Sequence, residues 1–337
     1  MFVNYYILIR LRLFILSIIV ISCNKPPPTI APDEESETSS DTTYNLETCT
    51  TDIATDVPEF FQKYFHCVKA RMSESGNYVN IYYNGKLPFE SWYYSSSHTN
   101  HIEWYTQGTG YFQIPNAYIQ EVDYVISIPV NPQPIDGATK ETNAVDGIVG
   151  NDANEYPMGS VGCALDGVNI FNPLAAPGDV IEDEAYTFDL YSGHPAGPSG
   201  IYHYHTTSRG PLEVLKKKIP NVVTQITPGS AEIELYGIMC DGVVVMGCKE
   251  LNGNSPNKSD WDAQNGHIHN LIDENGAVLF KNRYHTHICY DIITEEDTDG
   301  NGYQEHEYTP ESSYYISNGT GNNNVCGAMS SPIEPDR

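Results

Sequence analysis

The chain has 337 residues, 40% of them hydrophobic, with 17 Lys and Arg against 44 Asp and Glu, a net charge of −27. Such acidity excludes nucleic acid and anionic lipid surfaces as partners, because both are recognised through clustered positive charge. It suits an exported surface protein or a cation binder, and the apolar content is ample for a packed core.

At the N-terminus Arg10 and Arg12 precede the apolar run Leu13 to Ile21, which ends in Ser22-Cys23. A basic start, roughly ten apolar residues and a small residue at the cut site describe a secretory signal over residues 1–22. A spanning helix needs ~20 apolar residues, so this run is too short to be one. Val20-Ile21-Ser22-Cys23 also resembles the lipobox of bacterial lipoproteins, which implies lipidation of Cys23 as the mature N-terminus. The expected location is the bacterial outer membrane or cell surface, with lipid on Cys23 holding the protein to the membrane. The alternative is a secreted or periplasmic protein. Residues 23–48, with Pro26-Pro27-Pro28 and the acidic Asp33-Glu34-Glu35, bury too little apolar surface to order and are expected to form a flexible tether.

Beyond the tether the pattern is β. Tyr78 to Tyr83, Tyr124 to Val130, Ile201 to His205, Glu232 to Met239 and Val243 to Met246 are β-branched or aromatic runs flanked by Gly, Pro, Asn or Asp. Asn84-Gly85, Asp166-Gly167 and Asp241-Gly242 signal hairpins. Helical periodicity is confined to Pro58 to Met72 and to Pro211 to Lys218. These signals predict a mainly β fold, an antiparallel sandwich or barrel-like body, with an N-terminal β part over 49–160 and two repeated histidine-containing units over 161–330. Of the eight cysteines, Cys49, Cys67, Cys163, Cys240, Cys248, Cys289 and Cys326 follow Cys23. In an oxidising compartment they favour disulfides, with an odd one left over. Cys49–Cys67 is the one pairing expected, since both lie ahead of the repeats.

The second half repeats itself. Gly162-x-x-x-Asp166-Gly167-Val168 recurs as Gly237-x-x-x-Asp241-Gly242-Val243, and Phe188-Asp189 as Trp261-Asp262. Gly193-His194 recurs as Gly266-His267, and Tyr202-His203-Tyr204-His205 as Tyr284-His285-Thr286-His287. The step from Gly-His to Tyr-His-x-His lengthens in the second unit, as a longer hairpin loop would require. On a strand, residues i and i+2 share one face ~6.6 Å apart, so two imidazoles of a His-x-His pair can meet one ion. His194 with His203 and His205, and His267 with His285 and His287, are the expected three-histidine groups, the third ligand of each coming from another loop. His269 is surplus, either a further ligand or a hydrogen-bonding neighbour. Asp189 and Asp262 are candidate oxygen ligands or carboxylates that orient an imidazole. Imidazole-rich coordination suits zinc or copper foremost. Tyr202 and Tyr284 alternate with the histidines and should pack into the core.

These residues resemble the bacterial YHYH-domain family, whose motif stands here as Tyr202-His203-Tyr204-His205. Asn84-Gly85 with Leu87-Pro88, Ile128-Pro129-Val130-Asn131-Pro132, Ala164-Leu165-Asp166-Gly167-Val168, Gly193-His194-Pro195, Asp241-Gly242 and Asn265-Gly266-His267 are similar to its other blocks. The sequence departs at Thr286 and at Gln264, where the family often carries a cysteine. The resemblance implies a secreted or surface domain with no activity attached.

Asp297, Asp299 and Asn301, then Gly302, Tyr303 and Glu305, follow the start of an EF-hand-type loop and point to a calcium ion, although Tyr308 stands where the bidentate Glu belongs. No phosphate loop, dinucleotide fingerprint, His-Glu-x-x-His or Gly-x-Ser-x-Gly occurs. The sequence therefore points to a non-catalytic, lipid-anchored metal binder. The alternatives are a metal-dependent hydrolase or oxidase with an open three-histidine site, and an adhesion module whose loops hold a protein or glycan partner.

Overall fold

Tyr78–Tyr83 alternates half-exposed and buried residues along its whole length, as a strand with one face on a core must. It is central to the smaller of two sheets in the computed structural model of the protein, which describes residues 43–135, 156, 158–175, 181–289, 307–310 and 313–316. The signal segment, Cys23 and the calcium-loop residues Asp297, Asp299, Asn301, Tyr303 and Glu305 lie outside the described residues.

In chain order the strands are β1 (Asp52–Ile53), β2 (Lys69–Met72), β3 (Tyr78–Tyr83), β4 (Tyr124–Pro129), β5 (Ser160–Ala164), β6 (Asn169–Phe171), β7 (Gly193–Ala196), β8 (Ile201–Tyr204), β9 (Leu235–Met239), β10 (Val244–Met246), β11 (Gly266–Ile272) and β12 (Val278–His287). The helices are α1 (Glu59–Tyr64), α2 (Ile181–Ala185) and α3 (Arg209–Lys218). One sheet runs β1-β2-β3-β4 and the other β11-β12-β10-β9-β5-β6-β8-β7. They form a sandwich-like body with no closed barrel, and one hydrophobic cluster draws on both: Val79 and Ile81 from β3, Cys163 from β5, Ile238 from β9 and Val245 from β10.

The larger sheet grows outward from its middle. There β5 lies antiparallel to β9, with Gly162 opposite Met239, Cys163 opposite Ile238 and Ala164 opposite Gly237. On each flank comes a hairpin mate, β6 or β10, turned at Asp166-Gly167 or Asp241-Gly242, whose glycines take φ +79° and +101°. Next comes a parallel neighbour, Asn169 opposite His203 on one side and Val244 opposite His285 on the other. An antiparallel edge strand closes each end, with His194 opposite His203 and His267 opposite His285. The longer step in the second unit resides mainly in the strands: β7 and β8 have four residues each, whereas β11 has seven and β12 ten.

Four local expectations are corrected. The helix expected from Pro58 to Met72 stops at Tyr64, because Lys69–Met72 is taken into the sheet between β1 and β3. Asn84-Gly85 makes no tight hairpin; the partner of β3 starts only at Tyr124, and Val122 N–H reaches back to the Asn84 carbonyl. Residues 43–48, assigned to the tether, are bonded to the body: Asn100 donates to the Tyr44 carbonyl at 2.6 Å and Lys217 pairs with Glu47 at 2.6 Å. The short helix is longer than expected, because Ser208 caps it by accepting from Gly210 N–H.

Cys49–Cys67 is a disulfide, as expected, and Cys248–Cys289 is another. Cys240 is also disulfide-bonded, and Cys163, buried beside β9, is a free thiol.

Candidate metal centres

Each histidine group is built from a strand register rather than from a distant loop. Residues directly opposite on antiparallel strands hold their Cβ atoms ~4.5–5.5 Å apart. His194 on β7 faces His203 on β8 in this way, and His267 on β11 faces His285 on β12. His205 and His287 follow two residues later on the same face.

The intervening tyrosines point the other way, and this explains the rest of the motif. Tyr202 lies so close over Gly193 that a Cβ there would meet its ring at 2.7 Å, and one at Gly266 would meet the Tyr284 hydroxyl at 2.0 Å. Tyr202 then donates to Asp189 at 2.5 Å, and Tyr284 to Asp262 at 3.0 Å. Each Asp shapes the turn ahead of its Gly-His step: Asp189 accepts from Tyr191 N–H at 2.8 Å, and Asp262 from Gln264 N–H at 2.9 Å. Ser91 occupies the other Asp189 oxygen at 2.5 Å. Burial raises the Asp189 carboxyl to about 6, against the opposing effect of these hydrogen bonds. Asp189 and Asp262 therefore fix the tyrosines and the turns, and neither is among the residues whose ligand atoms gather at the histidine groups, although Asp262 lines the cleft beside His267.

In the first centre, the Nε2 atoms of His194 and His203 are 3.0 Å apart, as are those of His203 and His205. Ligands on a tetrahedral ion at ~2.05 Å stand ~3.3 Å from one another, so this spacing is close to that of shared coordination. The other ring nitrogens fix the tautomers. His203 Nδ1 faces the Ile201 carbonyl at 2.9 Å and His205 Nδ1 the Asn172 carbonyl at 2.5 Å. A carbonyl only accepts, so both Nδ1 atoms carry hydrogen. His194 Nδ1 meets Thr187 Oγ1, whose own hydrogen goes to the Glu184 carbonyl at 2.7 Å, so this Nδ1 is also the donor. Burial pushes all three imidazoles below their ordinary value, His205 to about 4. Three neutral rings thus turn three bare lone pairs on one point, an arrangement that a cation satisfies and that no hydrogen bond among them can. Phe171 stacks on His203 at 3.7 Å, and Phe188 covers His194 edge-on at 5.0 Å and lies parallel to His205 at 6.0 Å. Glu184 of α2 stands 3.5 Å from His205 Nε2.

In the second centre one carboxylate oxygen gathers four imidazoles. Glu250 Oε1 is 3.2 Å from His267, 3.0 Å from His269, 3.3 Å from His285 and 3.4 Å from His287, all at Nε2. His269 thus bonds to Glu250 here, beside the tighter group of Glu250, His267, His285 and His287. The Nδ1 atoms of His269, His285 and His287 donate to the carbonyls of Asn270, Arg283 and Gly247. Burial works against ionisation of Glu250, yet the four imidazoles hold its carboxyl far below the usual range. The Glu250 hydrogen bond raises His269, whereas burial takes His285 down to about 4. The lowered His285 leaves a bare Nε2 facing the Glu250 oxygen here too, a contact that a cation between them could bridge. Trp261 stacks on His287 at 4.7 Å. His267, His269 and Glu250 line a cleft of about 650 Å³ with Asn252, Asn257 and Asp260.

Sequence reasoning missed both glutamates. Glu250 follows Cys248, which the disulfide to Cys289 ties beside His287, and Glu184 closes the acidic run Glu182-Asp183-Glu184 ahead of Asp189. Thr286 donates to the Gln264 carbonyl at 2.7 Å. Cys49, His66 and Cys67 also lie together, but the disulfide consumes both sulfurs and His66 bonds Thr51 and the Leu46 carbonyl.

Residues 126–259 match the model of the family described as YHYH protein. No curated protein and no solved structure matches the chain.

Proposed function

We propose that this chain, which carries the YHYH domain over residues 126–259, is an extracytoplasmic, lipid-anchored protein that holds two transition-metal ions on its paired histidine centres, in a capture or structural role. The observation that carries it is the first centre, where three buried rings with donating Nδ1 atoms aim Nε2 atoms at one point with 3.0 Å steps. Zinc and copper are the ions such donors favour. Export is supported by the signal-like start and by Cys49–Cys67 and Cys248–Cys289, which belong to an oxidising compartment. Attachment through Cys23 rests on the lipobox alone, and a Cys23→Ser protein that stays with the membrane fraction would refute it. A separate calcium ion rests on the spacing of Asp297, Asp299, Asn301, Tyr303 and Glu305.

Elemental analysis of protein purified without chelator tests the main proposal. One ion per centre is expected, with loss of one in His203→Ala/His205→Ala and of the other in His285→Ala/His287→Ala. Negligible metal in all three proteins ends it. The cleft over the second centre favours, as a second possibility, a metal-dependent enzyme working there.

A further inference from the structure

The two centres share a plan but differ in access and donor count. The first is walled: His194, His203 and His205 are each no more than 3% exposed, and Phe171 and Phe188 cover their rings. An ion there could leave only if the packed end of the sheet opened. In the second, His285 and His287 side chains are wholly buried, but those of His267 and His269 keep 14% and 39% of their surface on the cleft. The floor of the centre is fixed while its roof is reachable from solvent.

Donor number separates them as well. Three imidazoles leave a tetrahedral ion one position short, which Glu184 at 3.5 Å from His205 is placed to supply. The second centre gathers three imidazoles and a carboxylate, His267, His285, His287 and Glu250, within reach of one ion. His269, 3.0 Å from Glu250, stands beside them on the cleft side as a fifth donor. A fifth donor exceeds zinc's tetrahedral habit and suits a tetragonal ion such as copper(II).

We propose that the first centre is a permanent staple and the second an exchange centre, loaded and emptied through the cleft, that prefers a tetragonal divalent ion and takes a small exogenous ligand on its cleft side. The inference rests on the metal-binding function proposed above. Because His267 and His269 face the cleft, its ion can come and go without unfolding the body.

The test loads the full chain with zinc and follows release to excess EDTA, then repeats the loading with copper(II) and adds azide. Two release phases are expected, the slow one at least about a hundredfold slower because it waits for local opening. The fast phase should vanish in His285→Ala/His287→Ala and the slow one in His203→Ala/His205→Ala. His269→Ala, a change on the exposed arm that leaves the body intact, should accelerate the fast phase alone. Azide should produce a charge-transfer band on copper in the wild-type protein and in His203→Ala/His205→Ala, and none in His285→Ala/His287→Ala. A single release phase for both ions, or a fast phase untouched by His269→Ala, overturns the inference while leaving metal binding intact. Failure of the wild-type protein and of every variant to take up zinc or copper overturns metal binding itself, and this inference with it.

Discussion

Replacing Thr187 by Val keeps the shape of the side chain and deletes one hydroxyl. That hydroxyl accepts from His194 Nδ1 and donates to the Glu184 carbonyl, so it fixes the ring with Nε2 bare. Without it the imidazole can move its hydrogen to Nε2, which lies 3.0 Å from His203 Nε2 and would then no longer be a donor to metal. Loss of such an orienting partner costs about 10–100-fold in metal affinity, or about 1.4–2.7 kcal/mol. A further ~1–3 kcal/mol of fold stability goes with the buried Glu184 carbonyl and whichever ring N–H is left unpaired. Competition against a chromophoric zinc chelator reads the first quantity, and a guanidinium melt of metal-free protein reads the second. The second centre is a built-in control. It lies five strand spacings from the first, about 24 Å along the sheet, and its affinity should be unchanged. Thr187→Ser should restore the first centre. The argument fails if Thr187→Val binds the first ion within twofold of wild type, or if Thr187→Ser is as weak as Thr187→Val.

Other consequences follow from buried groups outside the centres. Burial raises Asp166 to about 7 from 3.8, so the folded state holds its proton more tightly than the unfolded chain and stability falls as pH rises through that window. Asp166→Asn should remove this term, and its stability relative to wild type should climb by roughly 3 kcal/mol between pH 4 and pH 7; parallel curves would contradict it. A Cβ on Gly237 would meet the Cys163 carbonyl oxygen at 2.3 Å and the Ala164 Cα at 2.8 Å. Neither backbone atom can yield, so Gly237→Ala should cost about 3 kcal/mol or more in a urea melt, and a change below about 0.5 kcal/mol would show that the central pair is loose. Removing the Cys248–Cys289 disulfide, which spans a separation of 41 residues, should cost about 4 kcal/mol by loop entropy. It should also weaken the second centre more than the first, because it frees the loop that carries Glu250; equal weakening measured by chelator competition would detach Glu250 from that centre.

Much of this architecture was legible in the residues. The strands from Tyr78 and Tyr124 start where the β-branched and aromatic runs start, and His194 and His267 joined their His-x-His pairs because each motif encodes a cross-strand register. What escaped was set by tertiary neighbours. Lys69–Met72 has helical periodicity but sits between two strands, and pairing outweighs a weak local preference. Asp189 and Asp262 carry the right chemistry at the right distance in sequence, yet each sits in the turn ahead of its strand and accepts from a tyrosine that strand alternation points away from the histidines. Glu184 and Glu250 come from a helix and a disulfide-tied loop with no matched position in the other unit, so no repeat could reveal them.

The register at the middle of the larger sheet has a consequence of its own. Gly162 opposite Met239, Cys163 opposite Ile238 and Ala164 opposite Gly237 form a self-complementary contact, the kind that two copies of one subunit make across a dyad. A lone unit would present β5 as a bare edge, with the aggregation hazard such edges bring. A homodimer would cover that edge but would be bound to carry two identical ends. With β5 and β9 in one chain the edge is covered and the two ends need not match: one is sealed by phenylalanines while the other turns His267 and His269 to a cleft.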